Sequence, residues 1–453
     1  MRVRTESTSI VRRRIEPSKI EQSKIERSKM KRPVLILGSV PRITIPIARS
    51  LHAHDVPVEV ASFSAVEPPP WSRAVADFNR LPLSTEDDQS TALLESLTRL
   101  ISKRGYDMLI PANDTALAFI SQHDARLRES LYVACPPARV VERILNKSLT
   151  LEVAHGAGIP TPSTYRISNS GELEALSSQL RFPLVAKPCD KSDEMDFKVR
   201  YFQTYESLHQ ALAADKELGG KLLLQEFAQG DGVGIEVLIH HGEAVAIFQH
   251  RRLKEFPASG GVAAVALAEP LEPILVDQAL ALLRALEWDG VAMVEFRYDR
   301  ARHQSSLLEV NGRYWGTLAL PIQAGLDFPW YEWQLAHGEK PDVSVNYSAG
   351  ARWRWSAGYL SRWHDLARDS VRNQFQHRAD IAEFGSKQSE VKEFGLRELI
   401  PSFADLSARD ALWDTADPMP AIGELLRTVK DLAASDVKGI MRKLSPDRHR
   451  SRS

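Results

Sequence analysis

Apolar residues fall along this chain in two rhythms, short unbroken runs and stretches recurring every three or four positions. Val34-Leu-Ile-Leu37, closed by Gly38 and Ser39, is of the first kind. Such a run predicts a strand buried on both faces of a parallel sheet. Similar runs predict strands at 56–62, 108–110 and 131–134. Between them the helical rhythm marks 43–54, 93–104 and 116–128, with Pro46 delaying the firm start of the first helix. Pro68-Pro-Pro70 marks a loop. Alternating strand and helix predicts an open α/β sheet whose binding edge lies at the C-terminal strand ends, near Gly38-Ser39 and Asn113-Asp114. Gly38-Ser-Val lacks the Gly-x-Gly-x-x-Gly pattern, so no dinucleotide site is expected.

From residue 141 the rhythm changes. A helix over 141–157 carries Lys147 and is ended by Gly158-Ile-Pro-Thr-Pro162. Strands follow at 182–188, with Lys187 near its end, and at 222–227. Residues 235–240 and 244–249 predict a hairpin turning at His241-Gly242-Glu243. An amphipathic helix over 274–286 precedes a second hairpin, 291–298 with 306–311. Beyond about residue 340 the pattern is mainly helical, with a Pro-started helix near 418–426.

The first 32 residues break both rhythms. They repeat Ile15-Glu-Pro-Ser-Lys19 as Ile20-Glu-Gln-Ser-Lys24 and Ile25-Glu-Arg-Ser-Lys29, a period that fits neither helix nor strand. With eleven Lys/Arg against four Glu and few apolar residues, the segment predicts a disordered basic tail, or an extension ahead of a start at Met30. The last residues, 447–453, also read as a tail. The expected organisation is a tail over 1–32, an α/β domain over 33–140, a second domain over 141–340, and a helical extension with its own tail over 341–453.

Charge and cysteine content narrow the function classes. With 58 basic against 59 acidic residues the net charge is −1, which disfavours a protein built to bind polyanions. Two cysteines, Cys135 and Cys189, exclude a disulfide scaffold and a cysteine-based zinc cluster. No unbroken run of 18 apolar residues occurs, and the N-terminus lacks an apolar signal core. The expectation is a cytoplasmic protein without membrane or nucleic-acid partners.

The sharpest chemical feature is Glu295 with Glu309-Val-Asn311. Residues two apart on a strand share a face, so Glu309 and Asn311 point the same way. Glu295 and Glu309 are equidistant from residue 302, so a symmetric hairpin would oppose them directly. Opposed like charges on otherwise apolar strands need neutralising. The asparagine completes an all-oxygen donor set that suits Mg²⁺. The plainer alternative is a solvated hairpin whose charges pair with Arg297 or Arg313. Arg313, directly after the asparagine, suits an oxyanion, though it reads equally as a surface arginine. Lys147 and Lys187 are phosphate candidates, although either lysine taken alone reads as a solvated cation.

In order and spacing these pieces resemble the ATP-grasp superfamily, and more narrowly its carboxylate–amine ligases. The resemblance rests on Asn146-Lys147-Ser148 with Gly158-Ile-Pro-Thr-Pro162, on Pro183-Leu-Val-Ala-Lys-Pro188, and on Gln225-Glu-Phe-Ala-Gln-Gly-Asp-Gly-Val-Gly-Ile-Glu236. It continues through Arg251-Arg252 with Ser259-Gly-Gly261, Val294-Glu-Phe296, and Leu308-Glu-Val-Asn-Gly-Arg-Tyr-Trp-Gly316. It covers about residues 33–340. The fold it implies is an open α/β pre-ATP-grasp domain, then a two-subdomain ATP-grasp fold, then a mainly helical C-terminal extension. It also implies roles. Lys147 and Lys187 would hold ATP phosphates. Gln225, Glu226, Phe227 and Ala228 would form the hinge that reads adenine, and Asp231 would take the ribose hydroxyls. Glu295, Glu309 and Asn311 would bind Mg²⁺, with Mn²⁺ as an alternative. Arg313 would steady the transferred phosphoryl group, and Arg251 would do likewise or hold the acceptor's carboxylate.

Two departures from the family pattern stand out. The loop Cys189-Asp-Lys-Ser-Asp-Glu-Met-Asp-Phe-Lys198 has no glycine to wrap phosphate, and Gly312 stands where a proline is usual. The implied reaction joins a small-molecule carboxylate to an amine through an acyl phosphate, releasing ADP and phosphate. Alternatives are a bicarbonate-using carboxylase, a ligase acting on a protein terminus, a nucleotide-binding regulator without turnover, and a nucleic-acid binder acting through the basic tail. Homo-oligomerisation stays open. Trp353, Trp355 and Trp363 would pack in a helical core, cap the active site or stack on a partner.

Overall fold

The computed structural model describes residues 31–64, 66–81, 89–167, 170–189, 199–214, 222–258, 260–343, 346–375 and 407–444. The basic repeat through Met30, the glycine-free stretch 190–198, Ser259 and the terminal stretch 447–453 lie outside the described residues.

Five strands form the first sheet: β1 (Val34–Leu37), β2 (Val58–Ser62), β3 (Asp77–Arg80), β4 (Met108–Pro111) and β5 (Tyr132–Val133). Their order is β3-β2-β1-β4-β5, and every pairing is parallel. The apolar run at β1 is fully buried, as expected for a strand covered on both faces. β3 was not expected, because Asp-Phe-Asn-Arg offers no apolar run and stays only half-buried at this sheet edge.

Four more strands form a small sheet: β6 (Thr164–Ile167), β7 (Leu184–Pro188), β8 (Arg200–Phe202) and β9 (Leu222–Glu226), in the order β6-β9-β7-β8. Leu184, Ala186, Leu222 and Leu224 are buried in one cluster with Leu173 and Leu208 of its flanking helices. Alternation then directs Val185, Lys187, Leu223 and Gln225 to the other face.

The largest sheet contains β10 (Asp231–His240), β11 (Glu243–Phe256), β12 (Val262–Ala268), β13 (Gly290–Asp299), β14 (Gln304–Asn311), β15 (Arg352–Arg354) and β16 (Ala408–Asp410). Its order is β14-β13-β10-β11-β12-β15-β16. The region after residue 340 is therefore mainly helical but also adds two short strands to this sheet. One face buries Val233, Ile235, Val237, Val294 and Phe296 in a cluster with Ile144, Leu275 and Leu282. At ~1.5–3 kcal/mol for each fully buried side chain of this size, that face anchors the sheet. The opposite face carries the polar residues described below.

The helix expected over 141–157 is two helices, Ala138–Leu145 and Lys147–Gly156. Asn146 interrupts them: its side chain accepts from the Ser148 and Leu149 amides at 3.0 and 3.2 Å and caps the second helix. The stretch 116–128 is likewise divided, into Asp114–Gln122 and Asp124–Arg128. The Pro-started helix near 418 runs much farther than expected, over Met419–Leu444.

Candidate active site

Glu295 of β13 pairs directly with Glu309 of β14, and Asn311 pairs with Met293. The expected opposition is present, by a different route from simple symmetry. The connection between Asp299 and Gln304 is four residues long, and a bulge between Glu295 and Phe296 takes up one further residue on β14. The Asn311 amide nitrogen donates to Glu295 Oε1 at 2.9 Å and to Glu309 Oε1 at 3.2 Å. Its oxygen accepts from Arg313 at 3.2 Å. Glu295 and Asn311 are buried.

The second cation at this pair is Arg252. It forms an ion pair with Glu295, and its Nη1 donates to the Gly261 carbonyl at 2.9 Å. Desolvation opposes its charge, but Glu295, Glu255 and Glu309 outweigh that and raise its pKa. Arg251, the residue chosen from sequence, lies on the other face of the sheet. There it pairs with Glu269 at 2.6 Å and Asp231 at 3.6 Å, and Arg300 joins the same two carboxylates. Asp231 is thus also turned away from the carboxylate pair. For Arg251 the cause is a bulge between Leu238 and Ile239, which moves the β10–β11 register by one residue. An unbulged hairpin would set Arg251 opposite Gly232; the observed register sets it opposite Val233.

Arg313 is held by the first sheet. Its Nη2 donates to Asp114 Oδ2 at 2.9 Å, and its Nη1 donates to the Tyr314 carbonyl at 3.0 Å. Asp114 opens the helix Asp114–Gln122, which Asn113 caps by accepting from the Ala116 amide at 2.7 Å. The edge expected near Asn113-Asp114 therefore reaches the carboxylate site. Desolvation works against the Arg313 charge, but Asp114, Glu309 and Glu295 prevail and raise its pKa.

Lys187 comes from the small sheet. Desolvation pushes its ammonium down to about 8, while Glu309 and Glu295 pull the other way and Lys147 adds to the fall. Lys147 Nζ donates to the Pro188 carbonyl at 3.0 Å, and the Lys147 amide donates to Cys189 O at 3.0 Å. The two lysines are thus brought together at the end of β7.

The segment 225–228 ends β9. The Glu226 amide donates to Ser163 O at 2.9 Å, and that of Phe227 to Pro183 O at 3.1 Å. Among the described residues the Ala228 amide has no such bond, which leaves it available to a ligand edge. Gln225 is buried, and its amide nitrogen donates to Thr164 Oγ1 at 3.0 Å.

Sequence reasoning missed a buried pair beside this site. Gly234 sits between His250 and Glu295 in neighbouring strands, and His250 Nδ1 is hydrogen-bonded to Glu236. Burial pushes the Glu236 carboxyl up, and His250 partly offsets this. Only the alternation of residues 232, 234 and 236 along β10 could have signalled it. Of the three tryptophans, Trp353 is fully buried in the core, whereas Trp355 and Trp363 are half-buried. At the far end of β10, His240, His241 and Asp289 place ligand atoms within 4.8 Å of one another, distant from the paired glutamates.

Residues 220–359 match the family model described as "ATP-grasp in the biosynthetic pathway with Ter operon". The chain carries an ATP-grasp domain. The matched span includes β9 to β15, and with them the paired glutamates, Arg252 and Arg313. This ATP-grasp chain is 23% identical over 266 residues to a D-alanine–D-alanine ligase of Carboxydothermus hydrogenoformans, covering 51% of the chain and 85% of that protein. It is 25% identical over 244 residues to urea amidolyase of Lachancea kluyveri, covering 48% of the chain but only 13% of that much longer protein. The crystal structure of L-amino acid ligase from Bacillus licheniformis shares its fold, with a TM-score of 0.55 and 20% identity over 68% of this chain and 74% of that one.

Proposed function

We propose that this ATP-grasp protein is an ADP-forming ligase that joins a carboxylate to an amine. The observation that carries the reading is the opposed pair Glu295 and Glu309, with Asn311 between them and Arg252, Arg313 and Lys187 around them. Two facing carboxylates fit a hard divalent cation, and the Asn311 amide, whose nitrogen now faces them, would complete the oxygen set on turning its oxygen inward. Glu295, Glu309 and Asn311 would hold Mg²⁺, which when bound neutralises phosphate charge and orients the triphosphate. ATP is the co-substrate. Lys187 from the small sheet and Lys147 from the start of the neighbouring helix bind its phosphates, and the Ala228 amide with the Glu226 carbonyl reads adenine. Arg252, rather than Arg251, faces the transferring phosphoryl group. Arg313, oriented by Asp114, steadies the same charge.

In the first step a substrate carboxylate oxygen attacks the γ-phosphorus; the bond to the β-phosphate oxygen breaks and ADP leaves. In the second, an amine nitrogen attacks the acyl carbon, phosphate leaves, and the nitrogen gives up a proton. Carboxylate is a poor electrophile, and phosphorylation turns one of its oxygens into a leaving group. The arginines act where charge develops and need no reorganisation at that moment.

The test is ADP and phosphate release by the purified chain with MgATP, across pooled carboxylic acids, amines and bicarbonate. Glu309→Gln is the comparison. Release that needs both a carboxylate and an amine, and falls more than about 100-fold in the variant, supports the ligase. Release driven by bicarbonate alone selects a carboxylase. Saturable nucleotide binding with no release from any pool sinks both in favour of a regulator.

A further inference from the structure

The largest sheet carries a second group of donor side chains, at the end away from the paired glutamates. His240 is the last residue of β10, His241 and Gly242 turn the chain into β11, and Asp289 stands directly before β13. The β10–β13 register pairs Ile239 with Gly290, so the next position outward sets His240 beside Asp289. Each of the three residues offers a ligand atom, and these atoms lie within 4.8 Å of one another. The two imidazole rings are 4.0 Å apart between centroids. From Asp289 to Glu295 the extended strand runs ~20 Å, so this group is separate from the Mg²⁺ ligands.

Both turns are fixed by their own bonding. His241 and Gly242 have φ of 52° and 82°, the left-handed pair that a two-residue hairpin turn of type I′ requires. Asparagine suits the first of these positions better, so the turn alone does not call for a histidine. On the other side Trp288 is buried; its Nε1 donates to the Val291 carbonyl at 3.2 Å and its amide to Leu283 O at 2.9 Å. The His241 amide donates to Asp289 Oδ1 at 2.9 Å, which ties the two turns together and orients the carboxylate. Among the described residues, no cation pairs with Asp289 and no hydrogen bond engages a ring nitrogen of either histidine. Glu287, two positions earlier, differs, because Arg139 and Arg143 pair with it at 2.7 and 3.6 Å. The three donors are therefore adjacent, held in place and uncommitted. His241 is exposed and the other two are half-buried, so an ion can enter from solvent.

We propose that His240, His241 and Asp289 bind a divalent transition-metal ion of the Zn²⁺ type. Two imidazoles and a carboxylate are a donor set that Zn²⁺ or Ni²⁺ favours, whereas Mg²⁺ prefers the all-oxygen set at the glutamate pair. Zn²⁺ holds such donors at ~2.0–2.2 Å, and a small change in side-chain torsions closes the observed spread to that. Solvent completes the coordination. The ion joins two turns that lie 48 positions apart in the chain and staples the outer ends of β10 and β13. The site stands independently of the ligase reading.

The test uses the full chain without a histidine tag, in excess Mg²⁺ so that the glutamate pair is not competing. Zn²⁺ is titrated against a chromophoric chelator, and thermal melting is followed in parallel. One equivalent should bind, and Zn²⁺ should raise Tm where further Mg²⁺ does not. His241→Asn puts the preferred residue into the left-handed turn, so its metal-free Tm should match or exceed that of the wild type. Its Zn²⁺ affinity should fall at least ~10- to 100-fold, the loss that even a partner of a metal ligand brings. Asp289→Asn keeps an acceptor for the His241 amide and should lose affinity to a similar extent. Glu309→Gln should bind Zn²⁺ as the wild type does. Wild-type affinity retained in His241→Asn or in Asp289→Asn would overturn the three-ligand site. Loss of Zn²⁺ binding in Glu309→Gln would assign the ion to the glutamate pair and overturn it too, as would the absence of stoichiometric uptake by the wild type.

Discussion

Arg252 and Glu295 are each only 10% exposed in their side chains, and each is the other's principal counter-charge. Substituting Arg252 by Met leaves a buried carboxylate facing Glu309 with the Asn311 amide in contact and the charges of Lys187 and Arg313 nearby, but with no ion-pair partner of its own. Breaking a buried pair in this way costs ~3–5 kcal/mol. It also removes the donor to Gly261 O, although a solvent molecule can restore that bond. Glu295→Gln costs less, ~1–3 kcal/mol, because Arg252 keeps Glu255 and Glu309 nearby and the new side chain still accepts from Asn311. The double variant removes both charges, so its loss should be smaller than that of Arg252→Met alone. The coupling should reach ~2–3 kcal/mol, as expected for residues in direct contact. Urea unfolding followed by tryptophan fluorescence, in EDTA at pH 7.5, measures all four proteins. Strict additivity of the two single losses would refute the reasoning. It would mean that the pair is solvated and that the carboxylates need no cation when metal is absent.

Glu332 supplies a pH prediction. It accepts from Tyr314 Oη at 2.7 Å, and burial pushes its carboxyl from 4.5 up to about 8. The neutral form is the one the fold prefers, so this contribution is intact below pH 4.5 and is lost as pH rises toward 8, amounting to roughly 4–5 kcal/mol. Glu332→Gln should therefore match the wild type near pH 5 and exceed its stability near pH 8.5, and parallel unfolding curves across that range would contradict it. For Lys187, whose ammonium is lost above about pH 8, nucleotide affinity should weaken between pH 7 and 9. Lys187→Arg should abolish that slope in calorimetric titrations with MgADP, and an unchanged slope would place the titrating group elsewhere.

The parts of this molecule that were legible in the sequence are those decided by local pattern. β1 and β4 announced themselves as apolar runs, and Glu309 and Asn311 had to share a face because strand alternation allows nothing else. Arg251 shows where local pattern stops. Two adjacent arginines differ only in parity, and parity is set by a bulge at Leu238/Ile239 that no residue type there betrays. β6 and β8 were illegible because Thr-Tyr-Arg-Ile and Arg-Tyr-Phe become strands only through pairing with β9 and β7. The stacking of Arg42 on Trp355, 3.8 Å from guanidinium carbon to ring centroid, was not legible, because the two lie more than three hundred residues apart and contact at that separation leaves no periodic trace.

The ion pair between Asp114 and Arg313 bears on how the chain can be divided. A cut near residue 140 would look natural on the map of strands, since the five-stranded sheet closes before it. Yet the first fragment would keep Asp114 while the second kept Arg313. Arg49, whose guanidinium bonds Asp417 at 3.0 Å, would lose its partner by the same cut. Neither piece is a self-sufficient module. The leading α/β segment could not be exchanged for that of a relative, or expressed alone as an inert truncation, without altering the chemistry of the remainder. Co-expression of the two fragments is the form in which such a split protein would regain a complete site.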